Sequence, residues 1–327
     1  MSTNNQVTSP TLLVSSASKK ISLIAVAKQA MQRINPHATV IAGDISPKAL
    51  TSYVADDFWL MPKTEDAMFA EILAGCLLRN IQIVLPTRDG ELIFWAKHAK
   101  TLEDNGIHVI ISPQDAIAKC IDKLAFAEFG SANALPVIST SDDVQVLTAN
   151  RYVVKERFGA GSREIGIDLD QAQAKKYAAT LTNPIYQPFI QGLEFSADAW
   201  LDKLHHVKGL VLRERNLVVN GESQVTTTFT YSALENQIKH CLEKLKLRGP
   251  VVLQAILDQH NKMHIIECNA RFGGASNAGI AAGVDSVYWS ILEATGHDLN
   301  KVPFKRLNGE LRQVRISTDI YKHGPHF

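Results

Sequence analysis

The segment Ile265-Ile-Glu-Cys-Asn-Ala-Arg-Phe-Gly-Gly274 ("IIECNARFGG") sets Glu267, Asn269 and Arg271 at alternate positions, with Ile266, Cys268 and Ala270 between them. Side chains at i, i+2 and i+4 of a β-strand share a face, so one face carries a carboxylate, an amide and a guanidinium while the other is apolar. Upstream, "VVLQAIL" and "MHIIECN" flank the short polar stretch "QHNK", which predicts a β-hairpin. A four-residue turn sets Gln254 opposite Glu267. Gln254, Glu267 and Asn269 then form an all-oxygen donor set of the kind that Mg²⁺ accepts while it retains water and phosphate ligands. Arg271 on the same face suits a phosphate or a carboxylate, and Gly273 and Gly274 let backbone amides approach an anion. A strand end whose polar side meets solvent accounts for the same three residues equally well.

Working outward, residues 11 to 112 alternate apolar runs with amphipathic stretches. "TLLVSSA", "ATVIAGD", "IQIVLPT" and "HVIIS" read as strands. "SLIAVAKQAMQRI", "EDAMFAEILAGCLLRN" and "ELIFWAKHAKTLEDN" read as helices. Alternation of this kind predicts a parallel sheet covered by helices, whose ligands lie beyond the C-terminal strand ends. "SSASKK" and "TRDGE" stand there. Asp89 and Glu91 in the latter are candidates for contact with an amino-acid-like substrate, with helix N-capping by Asp89 the stronger expectation.

After residue 113 come two helical stretches and then "RYVVKERFGAGSREIGIDL", two strands joined by a glycine-containing turn. A helix starting after an Asp170 cap follows. From Ile185 strands dominate, including "HHVKGLVLRER", and a helix near 232–246 interrupts them. This region reads as antiparallel α+β. The expected division is 1–112, 113–190 and 191–327.

Lys155 lies in a strand just before Gly159, Gly161 and Ser162, a lysine beside an amide-rich loop that suits polyphosphate. The loop is neither a P-loop nor a dinucleotide fingerprint, since no Lys-Ser/Thr pair follows the glycines and the chain runs on into a strand. A plain hairpin turn remains an equal alternative. In "YQPFIQGLEFSAD", Gln187 with Phe189 and Ile190 offers an apolar slot with an amide for a purine, and Glu194 an acceptor for ribose hydroxyls.

Taken in order, Lys123 in "DKLAF", Lys155 before the glycine loop, "QPFIQGLE", Gln254 and Glu-x-Asn-x-Arg-x-Gly-Gly resemble the ATP-grasp superfamily. They resemble in particular the single-chain proteins similar to half of a carbamoyl-phosphate synthase large subunit. The resemblance spans nearly the whole chain. It implies an α/β (Rossmann-like) N-terminal domain followed by a two-lobed α+β ATP-grasp fold, with ATP and Mg²⁺ (or Mn²⁺) bound between the lobes. By position it assigns Lys123 and Lys155 to the ATP phosphates and "FGAGSR" to a closing loop. It gives Gln187, Phe189 and Ile190 to adenine, Glu194 to ribose, and Gln254, Glu267 and Asn269 to the metal. Arg271 falls on the transferring phosphoryl group. Arg213 and Arg215 fall on the acceptor side, where a solvated strand face is the alternative. The family often has glycine after the first strand, and "SSASKK" has none, which counts against a phosphate role for that turn.

The implied activity is ligation of a small carboxylic acid to an amine through an acyl phosphate, with ADP and phosphate released. Alternatives are phosphorylation of bicarbonate or carbamate, and a nucleotide-binding module without turnover. A formal charge of +1, from 34 Lys+Arg against 33 Asp+Glu, gives no footprint for nucleic acid or an anionic membrane. No apolar run is long enough to span a bilayer, and the start of the chain lacks the pattern of a signal peptide. The four scattered cysteines suggest reduced thiols in a cytoplasmic protein and argue against zinc. A homodimer is compatible with these features.

Overall fold

The computed structural model describes residues 9–159, 165–219 and 221–321. The first part builds a five-stranded sheet from β1 (Thr11–Ser15), β2 (Thr39–Asp44), β3 (Asp57–Leu60), β4 (Ile83–Pro86) and β5 (His108–Val109). The order is β3-β2-β1-β4-β5 and every pairing is parallel. The helices α1 (Ile21–Ile34), α2 (Phe69–Leu78) and α3 (Asp89–Asp104) cover it. β1 and β4 are buried along their whole length, as expected of strands covered on both faces. The chain leaves β1 toward β2 on one side while β4 lies on the other. The gap beyond the C-terminal ends of β1 and β4 is therefore the switch point where ligands of such sheets bind.

Two helices, α4 (Gln114–Ile121) and α5 (Lys123–Ala132), lead into a three-stranded antiparallel sheet. It holds β6 (Tyr152–Glu156), β7 (Ile165–Leu169) and β8 (Pro184–Pro188) in the order β7-β6-β8. Helix α6 (Gln171–Ala178) packs against it, and Asp170 caps α6 as the sequence suggests, accepting from Gln173 N at 2.8 Å.

The largest sheet is antiparallel, in the order β13-β12-β9-β10-β11-β14. Its strands are β9 (Gly192–Leu201), β10 (Val207–Val219), β11 (Glu222–Phe229), β12 (Gly249–Asp258), β13 (Met263–Asn269) and β14 (Arg312–Val314). Helix α7 (Ser232–Lys244) closes one face. Phe195, Ala197, Leu212, Ile238, Leu242, Leu253 and Cys268 share its core. Helices α8 (Ser276–Ala281) and α9 (Ser286–Ala294) return the chain to the first sheet. Phe272, Val287 and Ile291 pack with Ile24 and Met31 of α1 in one cluster, and Arg33 reaches Asp285 at 2.6 Å. The N- and C-terminal parts are thereby held against one another, which fixes the cleft between them.

Three sequence expectations change. β3 was not anticipated; its apolar run Phe58–Met61 is short, and within the strand only Trp59 is buried. His205 and His206 precede β10 instead of lying in it; His205 has φ 68°, and Asp202 Oδ1 accepts from His206 N at 2.9 Å in the turn. In β13 a bulge inserts Ile266, since Gln254 pairs with Glu267 and Ala255 with Ile265. Ile265 therefore joins Cys268 and Ala270 in the core in place of Ile266. Among the described residues no helix is long and apolar enough to cross a membrane.

Candidate active site

The hairpin of β12 and β13 brings the expected metal face together, but not through turn length alone. Leu257 pairs with Met263 and Ala255 with Ile265, a register that would set Gln254 opposite Ile266; the bulge at Ile266 shifts it by one residue, so that Gln254 stands opposite Glu267. Asn269 Nδ2 donates to Glu267 Oε1 at 3.1 Å, and Asn269 Oδ1 accepts from Arg271 at 3.3 Å. All three oxygen-bearing side chains are half-buried. Among the described residues no cluster of three or more His, Cys, Asp or Glu side chains could hold a metal alone. One carboxylate and two amides fit a hard cation whose remaining ligands are water and phosphate oxygens, the usual mode for Mg²⁺.

Arg271 is not free to swing. Its Nε donates to Asp89 Oδ1 at 2.8 Å, a second guanidinium nitrogen bonds Asp89 Oδ2, and Nη1 donates to Phe272 O at 2.9 Å. This bidentate pair joins positions far apart in sequence and corrects the expected role of Asp89. Arg88 occupies the N-cap position of α3 without a side-chain cap, Glu91 accepts from its N–H, and the Asp89 carboxylate orients Arg271. Glu91 is corrected too. It is fully buried and accepts from Ser15 Oγ, from Thr87 N at 2.9 Å, from Arg88 N at 3.1 Å and from Trp95 Nε1 at 3.1 Å. Such a carboxylate locks the β4–α3 turn to β1 and is shielded from any substrate. Gly273 also departs from expectation, because its N–H is occupied by Ser276 Oγ at 2.8 Å.

Two buried lysines stand within the electrostatic field of Glu267. Lys123 at the start of α5 donates to Gly159 O at 2.7 Å, which ties the helix to the beginning of the glycine loop. Gly159 has φ 121°, a conformation open to glycine and strained for other residues. Gly161, Ser162 and most of "FGAGSR" lie outside the described residues. Lys155 in β6 makes no hydrogen bond or ion pair with any described side chain. Burial pushes its ammonium down to about 8, and the like charge of Lys123 acts the same way, while Glu267 and Glu194 oppose the fall. Burial likewise lowers Lys123, against Glu267 and Asp89. Two buried cations with too few anions nearby form a site that an anionic ligand would complete.

In the proposed adenine region, Gln187 is buried and donates from Nε2 to Thr140 Oγ1 at 2.8 Å. Phe189 and Ile190 are half-buried, but the Phe189 N–H is already committed to Arg151 O at 2.8 Å. Glu194 is joined to Arg215, whose Nε also reaches Ser223 Oγ at 3.1 Å and whose Nη2 reaches Gly221 O at 3.0 Å. The residue expected at ribose and one expected at the acceptor are thus a pair. Arg213 is buried against Asp198 at 2.7 Å, and Ser276 Oγ donates to the other oxygen of that carboxylate at 2.8 Å.

The metal face and the arginines border a cleft of about 490 Å³ between the large antiparallel sheet and the switch point of the parallel sheet, whereas Lys123, Lys155, Gln187, Phe189, Ile190 and Glu194 do not line it. Gln254, Glu267, Asn269, Arg271, Arg213 and Arg215 line it from one side, and Lys20, Arg88 and Asp89 from the other. The contribution of the N-terminal loops was not foreseen as cationic. Lys20 and Arg88 stand in ordinary-looking polar turns, and only the fold brings them to Arg271.

Comparison with known proteins agrees with this architecture. Residues 12–110 match a family described as a PylC-like N-terminal domain, and residues 120–275 match an ATP-grasp domain. Among curated proteins none matches the chain in sequence. Among solved structures, the biotin carboxylase of Campylobacter jejuni in complex with β-γ-ATP superposes with a TM-score of 0.73 at 14% identity, covering 92% of this chain and 74% of that one. The biotin carboxylase domain of the 2-oxoglutarate carboxylase of Hydrogenobacter thermophilus, with MgADP and bicarbonate, gives 0.72 at 19% identity and covers 92% and 73%. An L-amino acid ligase of Bacillus licheniformis gives 0.67 at 17% identity and covers 87% and 74%. At these identities the likeness establishes the fold. The chain thus carries a PylC-like N-terminal domain followed by an ATP-grasp domain.

Proposed function

We propose that the protein is an ATP- and Mg²⁺-dependent carboxylate–amine ligase that works through an acyl phosphate and releases ADP and phosphate. The observation that carries this reading is the shared wall of Glu267, Asn269 and Arg271. Buried Lys123 and Lys155 lie within the field of Glu267 on one side, and the cation-lined cleft opens on the other. A phosphoryl donor and a carboxylate acceptor therefore have sites that meet at one point. The solved structures similar to this chain include one titled as an amino acid ligase and two as biotin carboxylases, in keeping with such chemistry.

In this reading Lys155 and Lys123 bind ATP phosphates, and the region of Gly159, Gly161 and Ser162 closes over them. Gln187 presents its amide to adenine beside Phe189 and Ile190, and Glu194 accepts from the ribose. Gln254, Glu267 and Asn269 hold Mg²⁺, with Mn²⁺ able to replace it; the ion supplies charge neutralisation at the transferring oxygens. Arg271, fixed by Asp89, stabilises the equatorial oxygens of the phosphoryl group in flight. An oxygen of the substrate carboxylate attacks the γ-phosphorus and the bond to ADP breaks. The amine nitrogen then attacks the acyl carbon, the bond to the phosphate oxygen breaks, and the ammonium proton passes to solvent. No side-chain nucleophile is required. The division 1–112, 113–190 and 191–327 is proposed as front domain, nucleotide lobe and metal lobe. The described cysteines are free, which suits a cytoplasmic setting.

Hydroxylamine tests the reading. Mg-ATP with the correct acid should yield a hydroxamate and ADP in equal amounts. ATP binding with no hydroxamate and no phosphate release across acid pools and bicarbonate would refute it.

A further inference from the structure

Resting on that reading, the charges in the cleft name a substrate class. Four arginines along its walls are matched by carboxylates: Arg213 by Asp198, Arg215 by Glu194, Arg271 by Asp89 and Arg315 by Glu222. What remains at the switch point is Lys19, Lys20 and Arg88, none of which forms an ion pair among the described residues. Lys20 Nζ donates to Ser16 O at 2.8 Å and Arg88 Nε to Ser16 Oγ at 3.4 Å, so one serine gathers both cations. The nearby carboxylates are spent elsewhere. Glu91 takes its four donors, and Asp44 accepts from Ser18 N at 2.7 Å and Ser46 N at 2.9 Å. Burial lowers the Lys20 ammonium, and Arg271 and Arg88 press it further against Glu91 and Asp44. Like charges are being held together without a counter-ion.

Two further features point to a ligand. Ser196 Oγ, on a residue 1% exposed that lines the same cleft, has no hydrogen-bond partner among the described residues. A buried hydroxyl left unpaired is costly unless a bound group completes it. The glycine-free turn "SSASKK" takes left-handed backbone at Ser16 and Ser18, with φ 50° and 42°. The Ser18 N–H is held by Asp44, and Ser18 O accepts from Thr51 N at 3.1 Å and from Thr51 Oγ1 at 3.0 Å. Strain of this kind persists where it sets a functional geometry, and here it aims Lys19 and Lys20 at the cleft. The turn thus presents its lysines to the cleft although it lacks the glycine whose absence counted against a phosphate role.

We infer that the carboxylic acid substrate carries a second anionic group, a carboxylate or a phosphate-type group. Lys20 and Arg88 hold it, with Lys19 at the rim, while the reacting carboxyl group lies beside Arg271 and the Glu267 face. A substrate bearing an extra cation in this position meets no uncommitted carboxylate except Glu267.

Calorimetric titration of the full chain saturated with Mg-ADP tests this, using glutarate, 3-phosphonopropionate, butyrate and 6-aminohexanoate as probes. At least one dianion should bind about tenfold or more tightly than butyrate, and the tighter of the two names the second group. Lys20→Gln and Arg88→Gln should each lower that ratio by about ten- to hundredfold, the range of a charge-assisted hydrogen bond. Butyrate or 6-aminohexanoate binding as tightly as both dianions, no binding of any probe, or a ratio unmoved in the double variant would overturn the inference. Dianion binding that depends on Lys20 with no phosphate release from ATP would support the inference and refute the ligase reading.

Discussion

Replacing Lys155 by methionine removes a charge that the folded, unliganded protein holds at a cost. The side chain is buried in β6, and its ammonium is pushed from the ordinary lysine value of 10.5 down to about 8, first by burial and then by Lys123. At about 1.4 kcal/mol per pH unit, the depression corresponds to about 3 kcal/mol at pH 7. The sign follows from proton binding. Above 10.5 the amine is neutral in both folded and unfolded chains and costs nothing. As the pH falls below 10.5 the unfolded chain takes up a proton that the folded chain refuses, and stability is lost until the full cost is reached below about 8. At pH 9.5 about 1.4 kcal/mol of the cost remains. Methionine keeps the length and apolar stem, so Lys155→Met should stabilise the unliganded protein by up to about 3 kcal/mol at pH 7 and by about half as much at pH 9.5. For a cooperative unit of 150–250 residues, the gain at pH 7 is a rise in Tm of roughly 6–12 °C. Differential scanning calorimetry at the two pH values, with and without Mg-ATP, reads both halves of the argument. Wild type should gain stability from Mg-ATP, which supplies the missing anion, and the variant should gain much less. A variant no more stable than wild type at pH 7, or a gain independent of pH, would refute the reasoning.

Three further outcomes are expected. Glu267→Gln should keep the Tm within about 2 °C but lose Mg²⁺-dependent turnover by more than the roughly 10- to 100-fold typical of groups that only support a ligand; an unchanged rate in a coupled ADP assay would remove Glu267 from the metal site. Asp89→Asn should lower kcat about tenfold by loosening Arg271, at a stability cost of about 1–2 kcal/mol, whereas stability loss alone, with kcat and KM intact, would return Asp89 to a purely structural role. Glu91→Gln should destabilise the N-terminal domain by about 2–4 kcal/mol in urea titrations, because an amide cannot accept from all four donors; a neutral result would contradict the described network.

Much of this architecture is legible in local pattern. The switch from alternating βα units to antiparallel strands follows from periodicity, and the i, i+2 spacing puts Glu267 and Asn269 on one face, whereas Gln254 comes opposite Glu267 only through the bulge at Ile266. What escapes is set by long-range contact. Nothing near Asp89 announces a guanidinium arriving from the far end of the chain, so a cap was the natural reading of an acid before a helix. Glu91 looks identical to Asp89 in sequence, yet one turn geometry buries it among four donors. The β13 bulge at Ile266 obeys no local signal, and the left-handed serines of "SSASKK" show tertiary hydrogen bonds supplying what glycine usually provides. The cationic wall of the cleft is a property of two domains meeting.

Transfer of label tests the acyl-phosphate route most directly. The protein would be incubated with Mg-ATP, an amine and a dianionic acid whose carboxyl oxygens are ¹⁸O, and the phosphate and nucleotide analysed by mass spectrometry. The proposed chemistry predicts ADP and phosphate in equal amounts, with one ¹⁸O in each phosphate that accompanies amide formation. AMP with pyrophosphate, or amide formed alongside unlabelled phosphate, would contradict it.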